Sequence, residues 1–144
     1  GIVLRTNFFG RSRTTKRKSL TDWLYQEVKA GHNVQVFDDV LFSPLSMHTL
    51  CKAIETMVES CIQGVFNLGT HNGMSKADFA FQFADSLGLP TTTMSRVKTG
   101  DVDFLKTYRP KDMRMNVNAL EKALDISLPS LAAEIKLVAK EYQA

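Results

Sequence analysis

The residues best suited to chemistry are polar side chains that follow a short apolar run near the start of the sequence. Arg5, Thr6 and Asn7 come directly after residues 2–4, and such an apolar run predicts a strand buried on both faces. At its carboxyl end a parallel strand opens into a ligand crevice. These side chains could therefore contact a ligand; alternatively, Asn7 caps a turn and Arg5 pairs with a structural carboxylate.

Two further segments carry positive charge. Arg109 precedes Pro110, which stiffens the turn, and its guanidinium could either bind a phosphate or pair with Asp112. Residues 11–18 contain five basic side chains. They could attract nucleotide phosphates or a nucleic-acid backbone, or they could simply form a solvated loop. Because no aromatic residues are interleaved for base stacking, we do not expect nucleic acid to be the partner.

Other reactive residue types form no recognisable site. His32, His48 and His71 are scattered without metal-ligand spacing, so no metal site is predicted. Cys51 and Cys61 fall in one predicted helix, ~15 Å apart along its axis, which is beyond disulfide reach. Both are expected to be reduced core residues of a cytoplasmic protein. The acidic turn residues are expected to be solvated, and three methionines to fill the core: Asp38, Asp39, Asp101 and Asp103; Met94, Met113 and Met115.

The composition indicates one globular domain, residues 1–144, with 44% hydrophobic and 23% charged side chains. A net charge of +3 is too small to indicate a nucleic-acid binder. No apolar run approaches the ~18 residues that a membrane span needs, and there is no signal peptide. We therefore expect a cytoplasmic protein without a membrane partner.

Strand-like and helix-like segments alternate, which indicates an α/β fold with a few short strands and about five helices. Ser19, Ser46 and Ser75 are predicted helix caps, and Asp22 completes a capping box with Ser19. The helices are expected to begin near residues 19, 46, 75, 117 and 129, and strands to cover residues 2–4 and 64–69. One or two short strands are expected within residues 34–41, broken at Asp38 and Asp39, and residues 91–110 are expected to form a loop with one short strand at residues 94–97. Helical periodicity predicts four inward faces: Leu20, Trp23, Leu24 and Val28; Leu50, Ala53, Ile54, Met57, Val58 and Cys61; Phe79, Phe83, Ala84 and Leu87; Leu131, Ile135, Val138 and Tyr142.

The first strand has consequences for assembly. We expect residues 2–4 to pair in parallel with residues 65–68, through the crossover between them. A buried strand needs partners for its backbone groups, so the chain is expected to be the second part of something larger. A two-stranded remnant leaves one edge bare, and bare edges recruit partners. This predicts a homo-oligomer through that edge, or a missing N-terminal domain on it.

Five segments, taken in order, resemble one known family. They are residues 4–10, 39–44, 64–69, 75–80 and 109–110, with the sequences LRTNFFG, DVLFSP, GVFNLG, SKADFA and RP. Together they resemble the C-terminal part of the dTDP-4-dehydrorhamnose reductase family. These proteins are extended short-chain dehydrogenase/reductases that act on nucleotide-linked sugars. The resemblance implies the C-terminal portion of that fold, lacking most of the Rossmann sheet.

The resemblance also implies which residues bind substrate and which groups are missing. The implied substrate-binding set is Arg5, Thr6, Asn7, Phe8, Pro44 and Arg109. Thr6, Asn7 and Phe8 would line the crevice near the nicotinamide and the sugar. Pro44 would shape a wall of the substrate pocket, and Arg109 would face the nucleotide diphosphate.

The family's glycine-rich cofactor loop and its Tyr-x-x-x-Lys catalytic pair both belong upstream of the first strand. Tyr25 and Lys29 have the catalytic spacing, but they lie in a predicted amphipathic helix, so we interpret the match as chance. No catalytic residue is therefore expected in this chain. NAD(P) is implied by the family, without tight binding to this chain alone.

Three positions depart from the family pattern. Phe8 stands where many members have tryptophan, so an aromatic platform is kept without its hydrogen-bonding nitrogen. His48 and Asn67 stand where the family usually has aspartate and histidine. These changes concern the identity of the sugar more than the fold.

The leading hypothesis is thus the substrate-binding portion of an NAD(P)-dependent nucleotide-sugar reductase, inactive as an isolated chain. The alternative is a stand-alone, non-catalytic module for nucleotide-sugar binding, protein interaction or regulation. A third possibility is an inert fragment that self-associates through its first strand. An upstream coding sequence with the glycine loop and Tyr-x-x-x-Lys would favour the first hypothesis over the second.

Overall fold

A computed structural model of the chain describes residues 1–105 and 107–144, so Lys106, in the predicted loop of residues 91–110, lies outside the described residues. Within them the chain forms nine short strands, five α-helices and one 3-10 turn at Thr99–Asp101. The strands are β1 (Ile2–Thr6), β2 (Phe8–Phe9), β3 (Val34–Phe37), β4 (Leu41–Phe42), β5 (Leu45–Ser46), β6 (Gly64–Leu68), β7 (Met74–Ser75), β8 (Met94–Val97) and β9 (Asp112–Met113). The helices are α1 (Leu20–Lys29), α2 (Met47–Ser60), α3 (Lys76–Ser86), α4 (Asn118–Leu124) and α5 (Leu131–Gln143). The predicted α/β class with five helices is confirmed.

Most strand pairs are parallel and join segments far apart in sequence. β1 pairs with β6 in parallel, with Val3 opposite Val65 and Leu4 opposite Phe66, as the sequence predicted. β3 pairs with β8 and β2 with β5, also in parallel. β4 lies between β7, its antiparallel neighbour, and the parallel β9.

The prediction that the first strand and its partner are buried on both faces is wrong for this chain. Val3 is 58% exposed and Val65 is 57% exposed. Leu4 and Phe66, on the opposite face, pack against a core that α2 and α4 contribute. The helices cover only one face of the β1–β6 pair, so the other face is open.

The hydrophobic interior consists of two clusters. One is built from α1, β3, α3 and α5, with the ring of Phe79 near its centre. This ring packs edge-on against Phe9 at a centroid distance of 4.9 Å and against Phe42 at 5.2 Å. The other cluster is built around Leu45 and Leu68 and contains the apolar side of α2 and α4. Met94 is buried in the first cluster, and Met113 and Met115 pack against the two clusters, which confirms the core role of these methionines.

The helix starts follow the predicted capping chemistry. The Ser19 hydroxyl accepts a hydrogen bond from the Asp22 amide, and the Asp22 carboxylate accepts one from the Ser19 amide, which completes the capping box. Ser46 and Ser75 cap α2 and α3 in the same way through their hydroxyls. Ser130 caps α5, so this helix starts at Leu131, slightly after the predicted position.

The predicted inward faces of α1 and α2 are only partly correct. Leu24 and Val28 are buried, whereas Leu20 and Trp23 are more than a third exposed. Three members of the predicted inward face of α2 are exposed: Ile54, Val58 and Cys61. Cys51 and Cys61 are both free and exposed, so their predicted core location is wrong. Cys61 is the residue directly after α2, with φ at 55°, and Cys51 lines a cavity.

No helix in the described part of the chain combines the length and the apolar character that crossing a membrane requires.

Candidate functional site

A cavity of about 900 Å³ opens where β1 and β2 end against the start of α2. We call it the Phe8 cavity. It brings together three of the residues expected to bind substrate: Asn7, Phe8 and Pro44. Further wall residues come from α2, from the basic segment and from neighbouring elements: Met47, His48 and Cys51; Arg11, Arg13, Arg17 and Lys18; Leu20, Phe42 and the acidic Glu141.

Short strand pairing positions the wall of this cavity. Phe8 pairs with Leu45, whose amide donates to the carbonyl oxygen of Asn7 at 3.1 Å. Because successive strand residues point to opposite faces, Phe9 is buried in the core while Phe8 is 58% exposed. Pro44 is buried. The Asn7 Oδ1 atom is buried without a hydrogen-bond partner in the described residues.

The basic segment, residues 11–18, is anchored at its beginning. The Arg11 guanidinium donates to the Glu141 carbonyl oxygen at 2.7 Å and lies over the Tyr142 ring. The Ser12 amide donates to Asp22 Oδ2 at 3.0 Å. Downstream of these anchors, Arg13, Arg17 and Lys18 are exposed and line the cavity. The predicted solvated loop is therefore also one wall of the Phe8 cavity.

The Asp22 carboxylate is the hub of this anchor. Burial acts to raise the pKa of Asp22, but hydrogen bonds from the Tyr142 hydroxyl and from the Ser19 and Ser12 amides outweigh it and lower this pKa. The carboxylate therefore stays ionised and keeps the basic segment fixed to α1 and α5.

A second cavity of about 830 Å³ lies between α1, β3, α3 and β8. We call it the Trp23 groove. Its walls include Trp23, Val36 and Phe104, with the amides of Asn33 and Gln35 at its rim. Leu20 lines both the groove and the Phe8 cavity, so the two spaces adjoin at the start of α1.

Arg109 lies outside the linings of both cavities. Burial lowers the pKa of Lys76, which lines the groove, and the Arg109 charge lowers it further. The Lys76 ammonium lies 5.9 Å from the centre of the Phe42 ring, and Phe42 lines the Phe8 cavity. Lys76 thus brings positive charge close to both cavities.

The structure does not contain the ion pair between Arg109 and Asp112 that the sequence left open. Asp112 pairs with Arg114, Oδ2 to Nη2 at 2.7 Å, and hydrogen bonds from Arg114 hold the pKa of Asp112 at about 2. Within the described residues, Arg109 forms no ion pair. Arg5 and Thr6 are exposed on β1 and line neither cavity. The structure therefore gathers half of the expected substrate-binding set and leaves Arg5, Thr6 and Arg109 outside the cavity linings.

The prediction of solvated turn charges holds for Asp38, which is exposed in the turn after β3, but it is wrong for Asp39, whose side chain is only 16% exposed. Asp38 pairs with Arg96 at 2.6 Å, and Arg96 also reaches Asp78 at 2.7 Å. Asp39 accepts hydrogen bonds from the Thr99 amide at 3.0 Å and the Thr99 hydroxyl at 2.8 Å. Asp101 and Asp103 are exposed, as predicted.

Tyr25 and Lys29 lie away from both cavities. Lys29 donates to the Tyr25 hydroxyl at 3.1 Å, and the Tyr25 ring packs on Tyr142 at a centroid distance of 5.1 Å. His32 pairs with Glu27, and His71 pairs with Glu121. In the portion that the structure describes, no group of three or more histidine, cysteine or acidic side chains is placed to hold a metal ion.

One residue important to the cavity had no clear sequence signal. Glu134 is 3% exposed and accepts hydrogen bonds from the Ser46 amide at 2.6 Å and the Thr49 hydroxyl at 2.8 Å. It thereby fixes the start of α2, the helix that contributes Met47, His48 and Cys51 to the cavity. The sequence indicated its burial only through its position: Glu134 stands three residues after Leu131, on the predicted inward face of α5.

The fold indicates the class of protein to which this chain belongs. Its mixed α/β arrangement, with a parallel strand pair and five helices, matches the fold of the C-terminal half of extended short-chain dehydrogenase/reductase-like reductases. The chain belongs to the family described as the RmlD substrate binding domain, which it matches over residues 2–144.

Individual relatives agree with this assignment. The chain is similar to the dTDP-4-dehydrorhamnose reductase of Bacillus anthracis, solved in complex with NADP, with a TM-score of 0.85 and 16% identity, over 97% of this chain and 48% of that one. It is also similar to a hypothetical dTDP-4-dehydrorhamnose reductase from Sulfolobus tokodaii, with a TM-score of 0.73 and 22% identity, over 90% of this chain and 44% of that one. A probable low-salt glycan biosynthesis reductase, Agl14, from Haloferax volcanii is 21% identical over 136 residues, 93% of this chain and 45% of that protein. The chain thus spans about half the length of these relatives.

Proposed function

We propose that this chain is the substrate-binding half of an NAD(P)-dependent nucleotide-sugar reductase. The observation that carries the proposal is that one cavity combines an exposed aromatic ring, Phe8, with three cationic side chains, Arg13, Arg17 and Lys18. A nucleotide sugar contains two groups that fit these side chains: a sugar ring, which can pack on Phe8, and an anionic diphosphate, which the cations can bind. Its third part, the nucleoside, requires a further apolar space nearby, and the Trp23 groove adjoins the cavity at Leu20.

The sugar would lie between Phe8 and Pro44. An aromatic face packs well against the apolar face of a sugar ring, and Pro44 supplies a rigid wall because its backbone is restricted.

The diphosphate would lie between two sources of positive charge. Arg17 and Lys18 line the Phe8 cavity on the side of the basic segment, and Lys76, on which the Arg109 charge acts, lines the adjoining groove. Guanidinium groups bind phosphate oxygens in a bidentate manner, which makes arginine better suited than lysine to fix the orientation of the ligand.

The nucleoside would occupy the Trp23 groove. Trp23 and Phe104 provide aromatic surface, and Asn33 and Gln35 provide amide groups for the polar edge of a base. The groove is mostly apolar with few polar groups, which is typical of small-molecule sites.

The described residues do not fit the dinucleotide cofactor itself. A dinucleotide site needs a glycine-rich turn that leads from a strand into a helix amino terminus. In this chain β1 leads into β2 and then into the basic segment before α1 begins. We therefore propose that NAD(P) is held by a Rossmann half on the free edge of β1, and that this chain alone is inactive and cytoplasmic.

A second candidate is a stand-alone binding module without catalysis. The observation that favours it is that the Phe8 cavity is formed within this chain, and that the chain's own helices cover both hydrophobic clusters. Such a module would bind a nucleotide sugar or a protein partner, and its bare β1 edge would support a homo-oligomer.

Titration of isotopically labelled protein with dTDP-glucose, followed by NMR, tests the proposed function. We expect millimolar affinity, equivalent to about 4 kcal/mol, with shifts at Asn7 and Phe8 and weaker binding at higher salt. Arg17→Ala should weaken binding about fivefold, the effect of one exposed charge contact. The matched control is Lys16→Ala, because Lys16 belongs to the same basic segment but does not line the cavity. Absence of shifts in the wild type, or equal effects of the two variants, would refute the proposal.

A further inference from the structure

Lys76 is the one charged side chain among the described residues that line the Trp23 groove. The other wall residues are apolar or carry neutral hydroxyl and amide groups. Lys76 is partly buried, and a charge removed from water costs free energy unless an opposite charge offsets it. In the part of the chain that the structure describes, the walls of the groove supply no such charge.

Two carboxylates near Lys76 are bound to another cation. Asp78 lies two positions later on α3, and Asp38 accepts a hydrogen bond from the hydroxyl of the preceding Ser75, at 3.4 Å. Arg96 pairs with both carboxylates, at 2.6 Å from Asp38 and 2.7 Å from Asp78. Lys76 itself forms no ion pair within the described residues. Its charge is therefore available to a ligand in the groove.

Lys76 lies where the groove approaches the Phe8 cavity. Its ammonium is 5.9 Å from the centre of the Phe42 ring, and Phe42 lines the Phe8 cavity. This separation is near the outer limit of a cation–π contact, about 6 Å, so the ring offsets little of the charge. Lys76 is also the first residue of α3, and the dipole of a helix disfavours a cation at its start. The Lys76 amide donates to the Val40 carbonyl oxygen at 2.9 Å, which fixes the backbone at this point.

We propose that Lys76 binds the phosphate attached to the nucleoside and thereby makes the Trp23 groove selective for nucleotides over nucleosides. This inference rests on the proposed function for the location of the nucleoside in the groove. Arg17 and Lys18 line the Phe8 cavity and not the groove, so they bind the phosphate attached to the sugar. Each of the two phosphates thus has its own source of positive charge.

The surroundings of Lys76 agree with this role. Burial lowers the pKa of Lys76, and the Arg109 charge lowers it further. Both effects disfavour the ammonium form, whereas an anion beside the ammonium acts in the opposite direction. A bound phosphate would therefore raise the pKa of Lys76, and NMR of the lysine side chain labelled with 13C can measure this change. If the pKa of Lys76 were the same with and without bound dTMP, the proposed contact would be refuted.

The first experiment tests the uncompensated charge without ligand. Methionine keeps a long unbranched side chain but carries no charge, so we expect Lys76→Met to raise the urea midpoint of unfolding by about 0.3 M. Lys52→Met is the matched control, because Lys52 is exposed on α2 and lines neither cavity; its midpoint should equal that of the wild type. A midpoint for Lys76→Met at or below the wild-type value would show that the free protein already offsets this charge, and would overturn the inference.

The second experiment compares the affinities of thymidine, dTMP and dTDP by NMR titration. In the wild type we expect dTMP to bind about tenfold more tightly than thymidine, the effect of one charge-assisted hydrogen bond. Lys76→Met should bind the two equally, and Lys76→Arg should restore the preference for dTMP. Arg17→Ala should keep this preference and lose instead most of the additional affinity of dTDP over dTMP. Loss of the preference for dTMP in Arg17→Ala would place the first phosphate in the Phe8 cavity and overturn the inference.

These measurements separate failure of the inference from failure of the proposed function. If the wild type binds dTDP-glucose but Lys76→Met still prefers dTMP over thymidine about tenfold, the role of Lys76 is refuted and the proposed function stands. If the wild type binds neither dTDP-glucose nor dTMP, both fail. If Lys76→Met does not fold, Lys76→Gln replaces it, because glutamine also lacks the charge. We expect Lys76→Gln to bind thymidine and dTMP equally, and a retained preference for dTMP would overturn the inference.

Discussion

Replacement of Glu134 by alanine should destabilise the protein strongly, because this buried carboxylate satisfies two donors at the start of α2. It accepts from the Ser46 amide at 2.6 Å and from the Thr49 hydroxyl at 2.8 Å. A hydrogen bond to a charged group contributes about 1.5–3 kcal/mol, and a buried donor left unpaired carries a penalty of about 1–3 kcal/mol. The Thr49 hydroxyl can turn toward another acceptor, whereas the Ser46 amide cannot. We therefore expect Glu134→Ala to lower the free energy of unfolding by about 3 kcal/mol.

A glutamine at this position separates the loss of charge from the loss of the hydrogen bonds. Its amide oxygen can still accept from the Ser46 amide, and its NH2 group can donate to the Thr49 hydroxyl, which acts as donor or acceptor. We expect Glu134→Gln to lower the free energy of unfolding by only about 1 kcal/mol. Small domains have about 5–15 kcal/mol in total, so the two variants differ by a readily measured amount.

The assay is equilibrium unfolding in urea, followed by circular dichroism at constant pH. Glu55→Ala is the control, because Glu55 is exposed on α2 and its removal should change stability by less than about 0.5 kcal/mol. If Glu134→Ala lowered stability no more than Glu55→Ala, the assignment of Glu134 as the anchor of α2 would be refuted.

Three further outcomes follow from the structure. The isolated chain should not oxidise NADH or NADPH with a nucleotide-4-ketosugar, because Tyr25 lies outside both cavities; turnover that is lost in Tyr25→Phe would contradict this. The bare β1 edge should produce a dimer or higher oligomer in sedimentation experiments, and a monomer at high concentration that binds no apolar dye would argue against it. Burial, followed by the hydrogen bond to Asp22, raises the pKa of Tyr142 above its ordinary value of 10.0. The neutral form is therefore favoured in the folded state, and stability that is fully present below this pH should fall as pH rises above it. Tyr142→Phe should remove this fall in urea unfolding between about pH 8 and pH 11, and an unchanged alkaline profile would count against the assignment.

The elements that the sequence predicted well depend on residues close together in the chain. Ser19 caps α1 through a residue three positions later, and the serine caps of α2 and α3 have the same spacing. β8 covers residues 94–97 in both the prediction and the structure. These sequence signals involve only nearby residues, so they can be recognised without knowing which other elements pack against them.

The parts that could not be predicted depend on residues far apart in sequence. Asp39 is adjacent to Asp38 in a turn, and nothing nearby indicates that Thr99, 60 positions later, would donate two hydrogen bonds to it. Glu134 is separated from Ser46 by 88 positions. The exposure of Cys51 has a similar origin, because helical periodicity predicts an apolar stripe but not where a cavity will open beside it.

The contact between α5 and the start of α1 bears on how the chain folds during synthesis. Tyr142 and Thr21 are 121 positions apart, and Arg11 and Glu141 are 130 positions apart. A ribosome delivers residues at about 5–20 per second, so the basic segment waits several seconds for the helix that anchors it. The parallel strand pairs also join distant residues, and contacts of large sequence separation slow folding. The nascent chain should therefore remain unfolded or chaperone-bound until α5 has left the ribosome, and deletion of the final turn of α5 should block maturation.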